Sequence, residues 1–294
     1  MGFRFVFHFI SYVSIPSREE NLSKFGGLVI KKRFFLKKIY DLLFIRTVGK
    51  LFYQARRHAL SKQTLLGRAI TSLNQTLNEK GATPPWISSA SECAEFWRTL
   101  DNSSASTGNR PQKYSHKKSA IIDFLHQFWM PYVAKDDTVI ELGCNCGVNL
   151  HWLQQLGYSR LNGAEINPHA IEQMKTTFPE LYRNSTLFEG SIENFAKATK
   201  ANTFDVVFTV GVSQHIHPAH NYLFAEMVRV CKKYICTIEP ETANSNYVFA
   251  RNYRRIFESC GCVQLQSARI TEAICADPGY AGCSIRLLKK IDPA

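Results

Sequence analysis

The chain has 294 residues, of which 45% are hydrophobic and 20% charged, with a formal net charge of +12. This is the composition of an ordinary soluble globular protein, long enough for one large domain with an extension or for two small domains. No apolar run reaches the roughly 18 to 20 residues that a bilayer-spanning helix needs, which excludes a transmembrane chain by that criterion.

The opening MGFRFVFHFISYVSIPS is aromatic and short, interrupted by Arg4 and His8, and reads as an anchor or packing segment, since it lacks a persuasive small-residue cleavage site. The basicity is concentrated here: residues 1–60 hold 12 Lys and Arg against Glu19, Glu20 and Asp41, a net of +9, which leaves +3 for the rest. In residues 31–60, Leu36, Tyr40, Leu43, Phe44, Val48 and Leu51 approximate one helical face between basic pairs. Such a helix lies on an anionic membrane surface or binds an acidic partner; the alternative is a helix packed on the main domain with a solvated basic face. Nine cysteines without an export signal point to a reducing, cytoplasmic setting, peripheral to a membrane if the arm is an anchor.

Residues 101–113, DNSSASTGNRPQK, divide a basic, mainly helical extension (1–100) from a main domain (114–294). Ile121, Phe124, Leu125, Phe128 and Trp129 recur at helical spacing and predict a helix leading into Pro131. From residue 137 short apolar runs alternate with amphipathic stretches. TVIEL, LNGAEI, STLFE, FDVVFTV, YICTIE, VQLQSARI and SIRLLKK read as strands, whereas Leu223, Met227 and Cys231, and Phe249, Tyr253, Ile256, Phe257 and Cys260, keep helical period. The pattern predicts an α/β fold with helices on both faces of a mostly parallel sheet. The last two runs are separated only by TEAICADPGYAGC and are expected to form an antiparallel pair.

VIELGCNCGVNL, residues 139–150, ends a strand on Glu141 and then places Gly143, Asn145 and Gly147 in one turn. Glycine permits positive φ and close approach of a ligand, and asparagine is the non-glycine residue that best tolerates the left-handed region. A dinucleotide fingerprint fails at Asn145 and Val148, and no GxxxxGK[ST] loop exists. ELGCNCG instead resembles motif I of class I S-adenosylmethionine (SAM) dependent methyltransferases, with Asn145 replacing the middle glycine. A carboxylate suits a ligand carrying an ammonium and no phosphate.

The resemblance runs over about residues 114–294 and implies a Rossmann-like seven-stranded sheet, SAM as cofactor, and a set of site residues. Glu141, Gly143, Asn145 and Gly147 would form the cofactor turn. Glu165, eighteen residues past Gly147, would accept both ribose hydroxyls, with Ile166 beside it and Pro168 opening the next helix. Ser191 and Ile192 would flank the adenine, where the family often has an acid in place of Ser191. Val210, Gly211 and His215 would stand on the loop after the fourth strand, His215 as a candidate general base because an imidazole titrates near working pH. On a loop or helix start, histidines such as His215, His217 and His220 are more often surface or capping residues than ligands. CxC pairs without CxxC or Cys/His quartets give no zinc expectation.

The fourth strand ends TVGV, without the (D/N)PP(Y/F) or Pro-Cys elements of nucleobase enzymes, and GVSQHIHP followed by KKYICTIEPE looks similar to methyltransferases of surface-sugar biosynthesis. The expected reaction is methyl transfer from SAM to an oxygen or nitrogen of a small molecule, a saccharide or lipid-linked glycan. The alternatives are an RNA methyltransferase using the basic arm, with nucleic acid the lesser choice, or a non-catalytic SAM-binding module docked to a membrane.

Overall fold

The computed structural model describes residues 65–291, apart from 83–87, 102, 104–109, 116–119, 244, 246 and 276–278. The amphipathic stretch 31–60 and the Asp277-Pro278 turn therefore lie outside the described residues. In chain order the elements are α1 (Leu65–Glu79), α2 (Ala90–Arg98), α3 (Pro111–Ser115), α4 (Ala120–Trp129), β1 (Val139–Leu142), α5 (Val148–Gln155), β2 (Leu161–Glu165), α6 (Pro168–Thr177), α7 (Pro179–Asn184) and β3 (Thr186–Glu189). They continue with α8 (Ile192–Ala198), β4 (Phe204–Val210), α9 (Tyr222–Val230), β5 (Cys231–Glu239), α10 (Tyr253–Ser259), β6 (Cys262–Arg269) and β7 (Ser284–Lys290), with two short 3-10 turns, Ser213–His215 and Pro218–His220, between β4 and α9.

Among the described residues the strands form a seven-stranded sheet in the order β3-β2-β1-β4-β5-β7-β6. β1 to β5 pair in parallel, while β7 runs antiparallel to both β5 and β6, as the absence of a helix between the last two apolar runs predicts. β1 and β4 are buried at every position, which is what continuous apolar runs such as FDVVFTV produce when helices cover both faces. β6 is an edge strand and alternates between buried or half-buried and exposed positions along its length.

Two apolar layers sandwich the sheet. One joins Ile121, Leu125 and Trp129 of α4 to Leu150 and Leu153 of α5, and the other joins Leu223, Phe224 and Met227 of α9 to Tyr253 and Phe257 of α10. The indole of Trp129 donates to the Tyr158 hydroxyl at 2.9 Å, so the largest core ring also has its polar atom satisfied. Local signals set the helix starts: Asn167 caps α6 with Pro168 at its first turn, and Asn252 caps α10.

Two boundaries differ from the periodicity. Cys231 begins β5 instead of closing the preceding helix, because it pairs with Phe204 in the parallel ladder. Phe249 stands outside α10: its N–H donates to the Gln214 carbonyl at 2.8 Å, and the helix waits for the Asn252 cap. The described residues of 65–100 pack onto the domain. Asn221 donates to the carbonyls of Asn78 and Glu79 at 2.7 and 3.0 Å, Arg255 pairs with Glu79 at 2.8 Å, and Asn167 donates to the Leu100 carbonyl at 2.6 Å.

Candidate active site

The carboxyl ends of β1, β2, β3 and β4 lie side by side, and in such sheets ligands bind where these ends meet helix N-termini. After β1 the chain turns with Gly143 at φ 73°, Asn145 at φ 50° and Gly147 at φ 77°, the three left-handed positions that the sequence implies. Gly143 and Cys144 donate to the Ala164 carbonyl at 2.7 and 3.1 Å, which fixes the turn to the end of β2. A Cβ on Gly143 would lie 2.6 and 2.8 Å from the two methyls of Val212, so the turn also abuts the loop after β4. Gly143→Ala is accordingly expected to cost about 2–5 kcal/mol, from the left-handed penalty plus overpacking against a stiff β-branched side chain. Thermal unfolding checks this, and Val212→Ala should restore part of the loss; equal melting of Gly143→Ala and the parent would refute the contact.

Glu141 is fully buried. Its Oε1 accepts from Asn149 at 2.6 Å, whereas Oε2 is buried with no partner. Burial raises its pKa to about 8. A buried carboxylate oxygen lacking a donor fits a ligand that brings one, preferably a cation. Glu165 accepts from Asn145 N–H and Asn167 N–H, both at 2.8 Å, and so clamps the tip of the turn to the start of α6. Its pKa is raised by burial, which outweighs the backbone N–H groups that favour its charge. Each oxygen retains a further acceptor direction for a ligand hydroxyl.

The loop after β4 is held from both sides. Glu239, at the end of β5 and fully buried, accepts from the Thr209 hydroxyl at 2.9 Å and from the N–H groups of Val212, Ser213 and Gln214 at 2.9, 2.8 and 3.2 Å. Arg251, also fully buried, donates to the Ile216 carbonyl at 2.6 Å and to Asn221 Oδ1 at 2.9 Å. His215 projects from this braced loop with Nδ1 2.6 Å from the Tyr247 carbonyl. A carbonyl only accepts, so Nδ1 carries the hydrogen and Nε2 keeps a lone pair. Burial lowers its pKa to about 4, which leaves the imidazole neutral at working pH.

The segment around α2 and α3 roofs these groups. Trp97 lies on the His215 ring, centroids 4.3 Å apart, and Phe96 stacks on Tyr247 at 4.5 Å. At the other side, the Tyr114 hydroxyl meets the Tyr280 hydroxyl at 3.3 Å, joining α3 to the β6–β7 connection beside Glu141 and Cys146. A separate cavity of about 330 Å³, lined by Gln154, Tyr158, Leu181 and Asn184, lies at the opposite, amino ends of β2 and β3.

The structure thus gathers Glu141, Gly143, Asn145, Gly147, Glu165, Gly211 and His215 at one edge. Ile166 is half-buried just past the end of β2, and the Val210 side chain is buried in the core at the end of β4. Ser191 caps α8 by accepting from Asn194 N–H at 3.3 Å, and Ile192 packs against the core. His217 accepts from Ala219 N–H as a cap, and His220 meets Glu193 at 2.7 Å. The cysteines are structural: all nine are free, Cys144 lies where a Cβ on Gly163 would collide with its Sγ, and burial pushes the Cys146 thiol up to about 12. Among the described residues no group of three or more His, Cys, Asp or Glu gathers to hold a metal. Glu239, Arg251, Asn149 and the Phe96–Trp97 pair are site residues that the motif reading does not find. Of these, Glu239 alone leaves a signal, as the acid closing YICTIE.

Residues 139–234 match the methyltransferase-domain family. Among solved structures, a putative sarcosine dimethylglycine methyltransferase from Galdieria sulphuraria is similar at 15% identity and TM-score 0.48, covering 58% of this chain and 86% of that one. Magnesium protoporphyrin IX methyltransferase from Synechocystis with bound SAM is similar at 12% identity and TM-score 0.49, covering 80% and 99%. Geranyl diphosphate C-methyltransferase from Streptomyces coelicolor is similar at 12% identity and TM-score 0.49, covering 70% and 98%. No protein of curated function matches the sequence. The sheet order and the antiparallel last pair are those of a Rossmann-like α/β fold, and the family match falls on its β1–β5 part.

Proposed function

We propose that this protein is a SAM-dependent methyltransferase acting on an oxygen or nitrogen of a small molecule, with a saccharide or lipid-linked glycan as the acceptor. The observation that carries the proposal is the pairing of Glu165, clamped across the cofactor turn, with a neutral His215 on the adjoining loop. The residues fit the cofactor: Glu141 Oε2 lacks a donor that an ammonium would supply, and Gly143, Asn145 and Gly147 hold the turn beside it in the left-handed conformation. SAM, when bound, supplies an electrophilic methyl on a sulfonium. The chain's own work is to orient, to exclude water and to take a proton: Glu165 accepts ribose hydroxyls, Glu239 and Arg251 hold the loop, and His215 Nε2 receives the acceptor proton. Phe96, Trp97 and Tyr247 favour an acceptor with a ring face that packs on aromatic carbon.

Labelled SAM incubated with fractionated cell extract tests the proposal: a labelled small-molecule fraction is expected, and label confined to RNA would move the reading to a nucleic-acid acceptor. His215→Ala should lower turnover about a hundredfold with SAM affinity nearly unchanged, since a general base contributes in the transition state. Because burial holds the imidazole near a pKa of about 4, turnover in the parent should stay level through pH 6.5 and fall only toward pH 4. An acidic limb at 6.5 would show that His215 is not the group being titrated.

The basic segment 31–60 is proposed to attach the protein to an anionic membrane surface. Deleting residues 1–60 should release the full chain from phosphatidylserine vesicles, at about 1 kcal/mol per basic residue near the surface, without changing SAM affinity. Equal vesicle binding by both forms would overturn it.

A further inference from the structure

The methyl-transfer reading leaves open whether oxygen or nitrogen is methylated, and the roof over His215 bears on that choice. Trp97 Nε1 is buried and has no hydrogen-bond partner. An indole nitrogen is only a donor, and a buried N–H left unpaired is costly. Its ring lies on His215, centroids 4.3 Å apart and 52° between planes, and Phe96 braces it edge-on at 5.0 Å while stacking on Tyr247, the residue whose carbonyl fixes the His215 tautomer. One unpaired donor and one proton acceptor thus stand on adjoining rings of a single aromatic group.

Resting on that reading, we propose that Trp97 and His215 together select a hydroxyl oxygen as the methyl acceptor, with the Trp97 indole N–H donating to that oxygen. The choice follows from counting electron pairs. A hydroxyl oxygen has two lone pairs and a proton: one pair attacks the methyl carbon, the other accepts from Trp97, and the proton passes to His215 Nε2. A carbon–oxygen bond forms, the carbon–sulfur bond breaks with its pair remaining on sulfur, and the imidazolium then gives its proton to water. A neutral amine has a single lone pair, which the attack consumes, so the Trp97 N–H would stay buried and unpaired. A carbon nucleophile has no second pair either. Of the three, oxygen alone satisfies both rings, with the Trp97 N–H orienting the hydroxyl while His215 takes its proton.

Phenol and aniline form the probe pair, since they are nearly the same shape and both neutral at pH 7. Full-length protein labelled with 15N-tryptophan is titrated with each, with and without S-adenosylhomocysteine (SAH), and Trp97→Phe assigns the indole resonance. A saturable downfield shift of the Trp97 indole proton is expected with phenol and a clearly smaller one with aniline, whose single lone pair is delocalised into its ring and accepts poorly. A shift with neither, or the same shift with both, overturns the proposal. Calorimetry with SAH alone reports separately on the methyltransferase reading, whose failure would show as absence of heat while the phenol–aniline comparison is still read on unloaded protein. With the acceptor fraction, Trp97→Phe keeps a ring on His215 and should lower kcat about tenfold with SAH affinity unchanged, and the labelled product should carry its methyl on oxygen. An N-methyl or C-methyl product, or wild-type kcat in Trp97→Phe, overturns it.

Discussion

Glu165→Ala is expected to weaken binding of SAM and SAH by a hundredfold or more on a protein that still folds. Two contributions combine. If the carboxylate accepts both ribose hydroxyls, each charge-assisted bond is worth about 1.5–3 kcal/mol, and the pair alone gives that factor. The carboxylate also accepts from Asn145 and Asn167, both at 2.8 Å, so its loss frees the tip of the turn at a residue held at φ 50°. A turn that must be reordered on binding lowers affinity further. Glu165→Gln separates the two, because one amide oxygen can keep a single backbone bond while the charge is lost. Calorimetry should rank the parent above Glu165→Gln and Glu165→Ala last. Unchanged affinity in Glu165→Ala would remove Glu165 from the cofactor site and with it the main support for the ribose assignment.

The sequence made the centre of this site legible because its constraints are local. A left-handed turn needs glycine or asparagine at fixed offsets, and a buried parallel strand needs an unbroken apolar run, so ELGCNCG and FDVVFTV carry their structure in their own residues. The order of runs likewise gave the sheet and the antiparallel β6–β7 pair, since only a short turn-forming segment joins them. The roof over His215 was not legible. Trp97 reaches His215 across 118 positions of sequence, and nothing in ASECAEFWR distinguishes a roof helix from any amphipathic one. Arg251 belongs to no motif, and only the fold brings its guanidinium to the carbonyl of Ile216 and the side chain of Asn221. Ser191, the motif position expected beside the adenine, uses its hydroxyl to cap the helix that follows.

The residue that couples the sheet to the His215 loop is Glu239, and its removal should be the most damaging single polar change in the domain. Glu239→Ala leaves the N–H groups of Val212, Ser213 and Gln214 and the Thr209 hydroxyl without their acceptor in a fully buried place. An unpaired buried group costs about 1–3 kcal/mol; after partial rehydration of the loop the sum should be roughly 3–5 kcal/mol. At about 2–4 °C per kcal/mol for a domain of this size, the melting temperature should fall by about 10 °C. The pH dependence has a definite sign. Burial raises the Glu239 pKa to about 7, above the ordinary carboxyl value of 4.5, even though the four donors pull it down. The folded state therefore holds the proton more tightly than the unfolded one, so this group's contribution is full below pH 4.5 and is lost as the pH rises through 7. The difference in stability between the parent and Glu239→Gln, which cannot titrate, should shrink over that window in thermal melts taken from pH 4 to pH 8. A difference that grows with pH would mean that the four donors outweigh burial, and that the loop carrying His215 is held by a carboxylate anion rather than by a carboxyl sharing its proton with the loop.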